Sequence, residues 1–329
     1  QNQLTIEQVD APATLEATFR VNAEIVVELT DENRLSNLLS SEQRRMVTKL
    51  TVSGPLYDED FWLMRDEMPQ LAEVDLWQAQ REDIPSQAFC VNADWDNAVG
   101  KRSLKSIRLP EGVHHIGWFA FASCTNLSEV NFSELKQLES IEDRAFQYTA
   151  LHQLDLSNTR MTEVGSGQFY QLKNLVEIRL PQTLERLNDI YRECNFTEVD
   201  LSHLTNLKTL NGTFYNSKQL QKVVLPEGLT TIMSAFQDCT SLTSVNIPKS
   251  VTTIGESAFW NAGIQRIDLS GHTNLTTLGG NAFIFCRQLQ EVLLPASLVQ
   301  IGGAAFNECT SLKSIDLSNT QVEIISGYT

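Results

Sequence analysis

The stretch LQEVLLPASLVQIGGAAF, residues 289–306, carries two ladders of apolar positions in 18 residues. In its first half Val292 and Leu294 alternate with Glu291 and Leu293, the two-residue period of a short strand with one face turned inward. Pro295 ends that strand, as Ser157, Ser202, Ser270 and Ser318 do in other units, because neither residue type continues a ladder comfortably. The second half spaces Leu298, Ile301, Gly302, Ala305 and Phe306 as L-x-x-I-G-x-x-A-F.

Both halves recur. Apolar triplets spaced L-x-x-I-x-L run from Leu104/Ile107/Leu109 through Leu151/Leu154/Leu156, Leu220/Val223/Leu225 and Leu289/Val292/Leu294 to Leu312/Ile315/Leu317. Looser copies precede them at Val47/Leu50/Val52 and Leu71/Val74/Leu76. A period of about 23 residues kept this long marks a solenoid, whose units cannot bury an apolar face alone and are stabilised by their neighbours. The expected organisation is an N-terminal segment and cap over 1–46, followed by one elongated array of about twelve units over 47–329.

Composition narrows the function. The chain has 329 residues, 42% hydrophobic and 20% charged, with no apolar run near the ~20 residues that span a bilayer. Its 41 acidic against 25 basic residues argue against nucleic acid, whose binding needs a basic stripe to neutralise phosphates. A neutral or positively charged partner suits this balance better. The chain opens at Gln1 with no cationic, apolar leader, as a mature or trimmed form would.

The repeat phase assigns the aromatic, cysteine and glycine columns. Phe89, Phe121, Phe146, Phe169, Phe214, Phe236, Phe259, Phe283 and Phe306 share one slot, and stacked coils should line their rings up as a core spine. Cys124, Cys239, Cys286 and Cys309 each lie three residues after such a Phe, and Cys194 three after Tyr191, which replaces it. Because Thr149, Leu172, Ser217 and Ala262 fill the same slot elsewhere, it reads as a small packing site holding unpaired thiols. Only Cys286 and Cys309, in adjacent units, are near enough in phase to pair, and Cys90 stands outside the pattern. Gly117, Gly165, Gly255, Gly279 and Gly302, with Asn188 and Asn211 as stand-ins, follow the second-ladder Ile or Leu. That choice of residues predicts a turn of positive φ at this place in each coil.

A catalytic or metal site should interrupt the repeat with residues that packing does not require. No spacing resembles H-E-x-x-H, paired C-x-x-C, G-x-S-x-G or a phosphate-binding glycine loop, so no enzyme, metal or cofactor is expected. His203 and His272 read as loop residues, and His114 and His115 take outward positions. The outward strand positions are more informative. Asp155, Arg179 and Asp200 fall in consecutive units, so a ladder of opposite charges should cross the sheet there. Val224 and Leu293 are apolar where solvent is expected, and with Trp77, Trp95, Trp118 and Trp260 they are candidate contact residues. Trp77, Asp155, Arg179, Asp200, Val224 and Leu293 are the candidate binding set.

L-x-x-I-x-L-P followed by L-x-x-I-G-x-x-A-F-x-x-C-x-x-L resembles the leucine-rich repeat subclass named after the BspA surface antigen, over about Leu71 to Leu317. LSNLLS from Leu35, KLTVSG from Lys49 and DFWLMR from Asp60 resemble the cap that opens such proteins in gut and oral Bacteroidetes. The resemblance implies a leucine-rich repeat solenoid with short parallel strands on one face and turns and short helical segments on the other. It implies export to the cell surface, often through a lipid anchor upstream of residue 1, and adhesin-like binding of a protein or glycan, including host-derived ones. The rival functions are a surface spacer without a ligand, and a lectin or hydrolase with a site at the N-terminal segment. At the other end, the spacing from Ile301 to Phe306 places the next spine Phe just after Thr329. The last coil is therefore expected to continue, to fray, or to pack against another molecule.

Overall fold

A computed structural model describes residues 23–92, 97–164, 166–325 and 327. Trp95 and Gly165 lie outside the described residues, as do the first 22 residues and Ser326, Tyr328 and Thr329, on which the expectation for the last coil turns. The rest is a parallel solenoid built on register. Strand β1 (Ala23–Glu28) pairs with β2 (Val47–Pro55), and β2 with β3 (Glu73–Asp75), placing Ile25 beside Leu50 and Leu50 beside Val74. Val74, Ile107 and Val130 continue the row. A one-residue slip would turn this row outward, so burial of one face specifies the pairing. The ladder begins one strand upstream of Val47.

Beyond Val130 the first-strand ladder breaks into pairs: 153–155 with 177–179, 198–200 with 222–224, and 266–268 with 291–293. The second ladder divides differently, into three strands ending at Ser140–Ile141 and seven running from Arg186–Asn188 to Ile324–Ile325. Both ladders are thus interrupted in the middle of the array. Among the described residues the α-helices are confined to the N-terminal end, in the cap and just beyond it: α1 (Leu35–Leu38), α2 (Ser41–Met46) and α3 (Asp58–Glu67). The backs of the later coils are turns, with one 3-10 segment at Phe132–Glu134. The buried Lys101 ties α3 to the array, its Nζ donating to the carbonyls of Arg65 and Met68 at 3.2 and 2.6 Å, where a helix leaves acceptors unpaired.

The spine forms as expected, with Tyr191 filling the gap in the Phe column. Phe236, Phe259 and Phe283 stack at 5.2 Å between successive centroids, and Phe283 lies 1° from parallel with Phe306. Around Tyr191 the column loosens, with 6.1 Å to Phe169 on one side and to Phe214 on the other. Each ring rests on a backbone device. From Phe121 to Phe306 the residues two before and two after it have positive φ, as Asn281 (58°) and Phe285 (61°) do around Phe283. The N–H groups of Asn281, Phe283 and Phe285 donate to the carbonyls of Gly303, Ala305 and Asn307 in the next coil.

The glycine column has a different cause from the one its sequence suggests. Gly117, Gly255, Gly279 and Gly302 are not in the left-handed region, nor are Asn188 and Asn211; the positive φ falls on Phe119, Asp189, Gly212, Ser257, Asn281 and Ala304 instead. At Gly117, Gly279 and Gly302 glycine is needed because the preceding coil is too close. A Cβ on Gly279 would sit 2.5 Å from the carbonyl carbon of Gly255 and 2.6 Å from the Glu256 nitrogen, and one on Gly302 2.3 Å from the Gly280 nitrogen. Backbone cannot yield as a side-chain tip can. Gly279→Ala should therefore destabilise by about 1–3 kcal/mol, as overpacking does; an equal or higher urea midpoint would contradict close approach as the cause.

All six cysteines are free and buried. Their slot is also a hydrogen-bonding position: Cys194, Cys239, Cys286 and Cys309 each direct Sγ at the carbonyl of the spine Phe one coil earlier, at 2.9–3.2 Å. Ser217 does the same to Tyr191 at 3.0 Å. Burial pushes the Cys90 and Cys309 thiols up to about 11 and Cys194 up to about 12, so the nucleophilic thiolate is scarce at neutral pH. A disulfide reagent should titrate all six thiols in denaturant without reductant, and the folded chain should react far more slowly. A mass showing disulfides would overturn this.

Candidate binding surface

The strand-terminating motif D-L-S fixes most of the outward aspartates locally. Asp155 accepts from the Ser157 N–H and hydroxyl at 3.1 and 2.6 Å, and Asp268 likewise from Ser270. Asp200 and Asp316 accept from the N–H groups of Ser202 and Ser318 at 2.8 Å. Hydrogen bonds from the Ser hydroxyl, then from its N–H, hold the Asp200, Asp268 and Asp316 carboxyls below their ordinary value. These aspartates are turn residues first, so their presence on the face does not depend on a ligand.

The expected charge ladder is only half assembled. Asp155 lies beside Arg179 in register, yet the Arg179 guanidinium pairs with Glu177 of its own strand at 2.7 Å. Asp200 belongs to the next strand pair, opposite Val224, and is not bridged to Arg179. The other bases of the face are also engaged: Lys49 with Glu24, Arg108 with Glu134, Lys222 with Glu198, and Arg266 with Glu291. Arg108 lies over the half-buried Trp77 ring, 4.3 Å from its centroid, so this indole face is already covered. Asp75 and Arg108 line a groove of about 370 Å³ across the first strands, and Trp77 is not among its lining residues.

Val224 is exposed and Leu293 half-buried, far apart in the array. Val224 has a companion that outward-position reading missed: Val176, 71% exposed, which shares a depression of about 280 Å³ with Val224, Glu177, Glu198, Asp200 and Lys222. Its signal in the sequence was an apolar residue just before a strand, where other units place Gln221, Gln265 or Gln290. On the second-strand face, Trp118 is 38% exposed at a depression of about 570 Å³ that also includes Glu142, Asp143 and Glu163. Trp260 is half-buried against Phe285. The loop histidines tie coils together, His272 Nε2 to the Ile247 carbonyl and His203 Nε2 to that of Leu180. Among the described residues no group of three His, Cys, Asp or Glu side chains could hold a metal, and no helix is long and apolar enough to cross a membrane.

The repeated strand, glycine approach and A-F spine match the family described as BspA type leucine-rich repeat region, in six copies over 96–211 and 208–329. The chain belongs to this family. Among solved structures, the BspA-type chain is similar to a leucine-rich repeat protein from Bacteroides ovatus, at 23% identity over 72% of this chain and 75% of that one, TM-score 0.49. A leucine rich cell surface protein from Faecalibacterium prausnitzii matches at 19% identity over 85% and 83%, TM-score 0.41. The pneumococcal vaccine antigen PcpA matches at 20% over 84% and 73%, TM-score 0.47. No curated protein gives a significant match.

Proposed function

We propose that this BspA-type array is an exported, cell-surface scaffold that binds another protein through its first-strand face. The observation carrying this is the depression that joins the exposed valines Val176 and Val224 to Glu177, Glu198 and Asp200. Two apolar side chains left in water on an otherwise charged face are the kind of contact that gains most from a partner. A rigid solenoid adds little ordering cost when it binds. Trp77 and Leu293 extend the candidate surface on either side, and Asp155 and Arg179 border it. A glycan ligand and a ligand-free spacer are the competing readings. The whole chain, immobilised, should capture a protein from a panel of host matrix proteins and glycans. The double substitution Val176→Asp, Val224→Asp should then weaken capture at least tenfold. Unchanged capture would remove the face from the proposal, and no capture from broad panels would favour the spacer.

A further inference from the structure

Strand β1 (Ala23–Glu28) stands at the N-terminal end of the first-strand ladder: it pairs with β2, and among the described residues no strand pairs with its other edge. One bond fixes the direction of its backbone groups. The Leu29 N–H donates to the Ser53 carbonyl at 2.8 Å, as that of Leu76 does to Arg108 within the array, so Ile25 and Val27 also face β2. Glu24, Val26 and Glu28 alternate with them and turn their N–H and C=O groups to the open side.

The side chains are unfinished in the same direction. Ile25 and Val27 lie inward yet are only half-buried, whereas Leu50 and Val52, their partners in β2, are fully enclosed. On the outward face Val26 is 72% exposed between Glu24 and Glu28. Open strand edges are templates for another strand, and proteins blunt them with lysine, proline or a bulge. The irregularity of β1 falls between Ala23 and Glu24, which leaves the row from Glu24 to Glu28 regular. A second copy fits badly, because two-fold antiparallel pairing centred on Val26 sets Glu24 of each copy directly opposite Glu28 of the other. A strand with a basic residue facing each of Glu24 and Glu28 and an apolar one facing Val26 has no such conflict. Apolar residues between these would cover Ile25 and Val27.

We infer that the free edge of β1 captures an extended segment of a partner protein, added antiparallel, with Lys or Arg at its first and fifth positions and apolar residues at the three between. The backbone bonds hold the segment and the alternation selects it. The net charge of −16 favours its approach. This contact stands without the depression around Val176 and Val224.

The probe is acetyl-Gly-Lys-Ile-Val-Ile-Lys-Gly-amide, titrated against the whole chain beside two relatives, one with Glu for both Lys and one with Pro for the central Val. The lysine peptide should bind saturably and at least tenfold more tightly than either relative, since one is repelled by the edge and the other lacks the central donor. In the complex, amide hydrogen exchange should slow at Glu24, Val26 and Glu28, while Ile25 and Val27, already bonded to β2, stay as they were. Glu28→Lys should cut the preference for the lysine over the glutamate peptide at least fivefold, whereas Val176→Asp, Val224→Asp should leave it unchanged. No saturable binding, a relative that binds as tightly, an unaltered preference in Glu28→Lys, or protection spread evenly over 23–28 would overturn the assignment. Slow exchange at Glu24, Val26 and Glu28 in the dilute free chain would show the edge already covered, and protection that grows with chain concentration alone would give it to a second copy; either result also overturns it.

Discussion

Phe259→Ala should lower the unfolding free energy by about 3–5 kcal/mol, the usual result of emptying a buried Phe site. The Phe259 ring is fully buried and lies 5.2 Å from both Phe236 and Phe283, nearly parallel to each. Its N–H also donates to the Ala282 carbonyl at 2.8 Å, and its own carbonyl accepts from Cys286. The void would therefore lie against two coils whose positions are set by stacking and by the backbone ladder, leaving little freedom to collapse. Since each coil touches only its neighbours, hydrogen exchange should accelerate first in the residues around 236–283 and not in the cap. A loss below 1 kcal/mol, or uniform acceleration along the chain, would remove the spine from its structural role.

Asp60→Ala should be comparably severe, costing about 3–5 kcal/mol, because it removes the buried member of a charge pair. The Asp60 carboxylate, in the first turn of α3, pairs with the Arg34 guanidinium, which stacks over the Tyr57 ring at 3.8 Å. It also accepts from the backbone N–H groups of Tyr57 at 3.0 Å and Leu35 at 3.3 Å, joining the starts of α1 and α3. Alanine would leave these N–H groups and the guanidinium without their acceptor in a site with little water. Asp60→Asn keeps one acceptor oxygen and should lose distinctly less. Denaturant midpoints for the two variants decide the matter: equal losses would mean that charge contributes nothing, and two unchanged midpoints would show that the cap does not depend on this residue.

The parts of this fold legible in the sequence are those that recur with burial. Val74, Ile107 and Val130 announce an inward row, and the A-F pairs announce the spine, because every unit must solve the same packing problem. Glycine was legible as a requirement but not as a cause, since a Cβ clash and a positive φ both select it. The actual left-handed positions include Asn216, Asn261 and Asn281, but also Phe119, Arg144, Tyr148, Glu193 and Ala304, residues that give no compositional hint. Here the inter-coil hydrogen bonds override local preference. The candidate site was half legible. Asp155, Arg179 and Asp200 were found by position, but their partners are local, through D-L-S turns and the Arg179–Glu177 pair, which single-position reading does not anticipate. The depression beside Trp118 could have been suspected from Glu142, which takes a position that Gly117, Gly255, Gly279 and Gly302 hold in other coils.

The loosened centre has a mechanical consequence. Near Tyr191 the ring spacing reaches 6.1 Å, the first ladder does not join 177–179 to 198–200, and among the described residues the second has no strand between Ile141 and Arg186. Among the described residues, the Phe169 N–H makes none of the spine bonds that Phe259 and Phe283 make. Under tension along its axis the array should yield at this seam before any other coil parts. The tightly stacked coils from Phe236 to Phe306 would then travel as one unit, and a tether of this kind would lengthen in a step instead of stretching evenly.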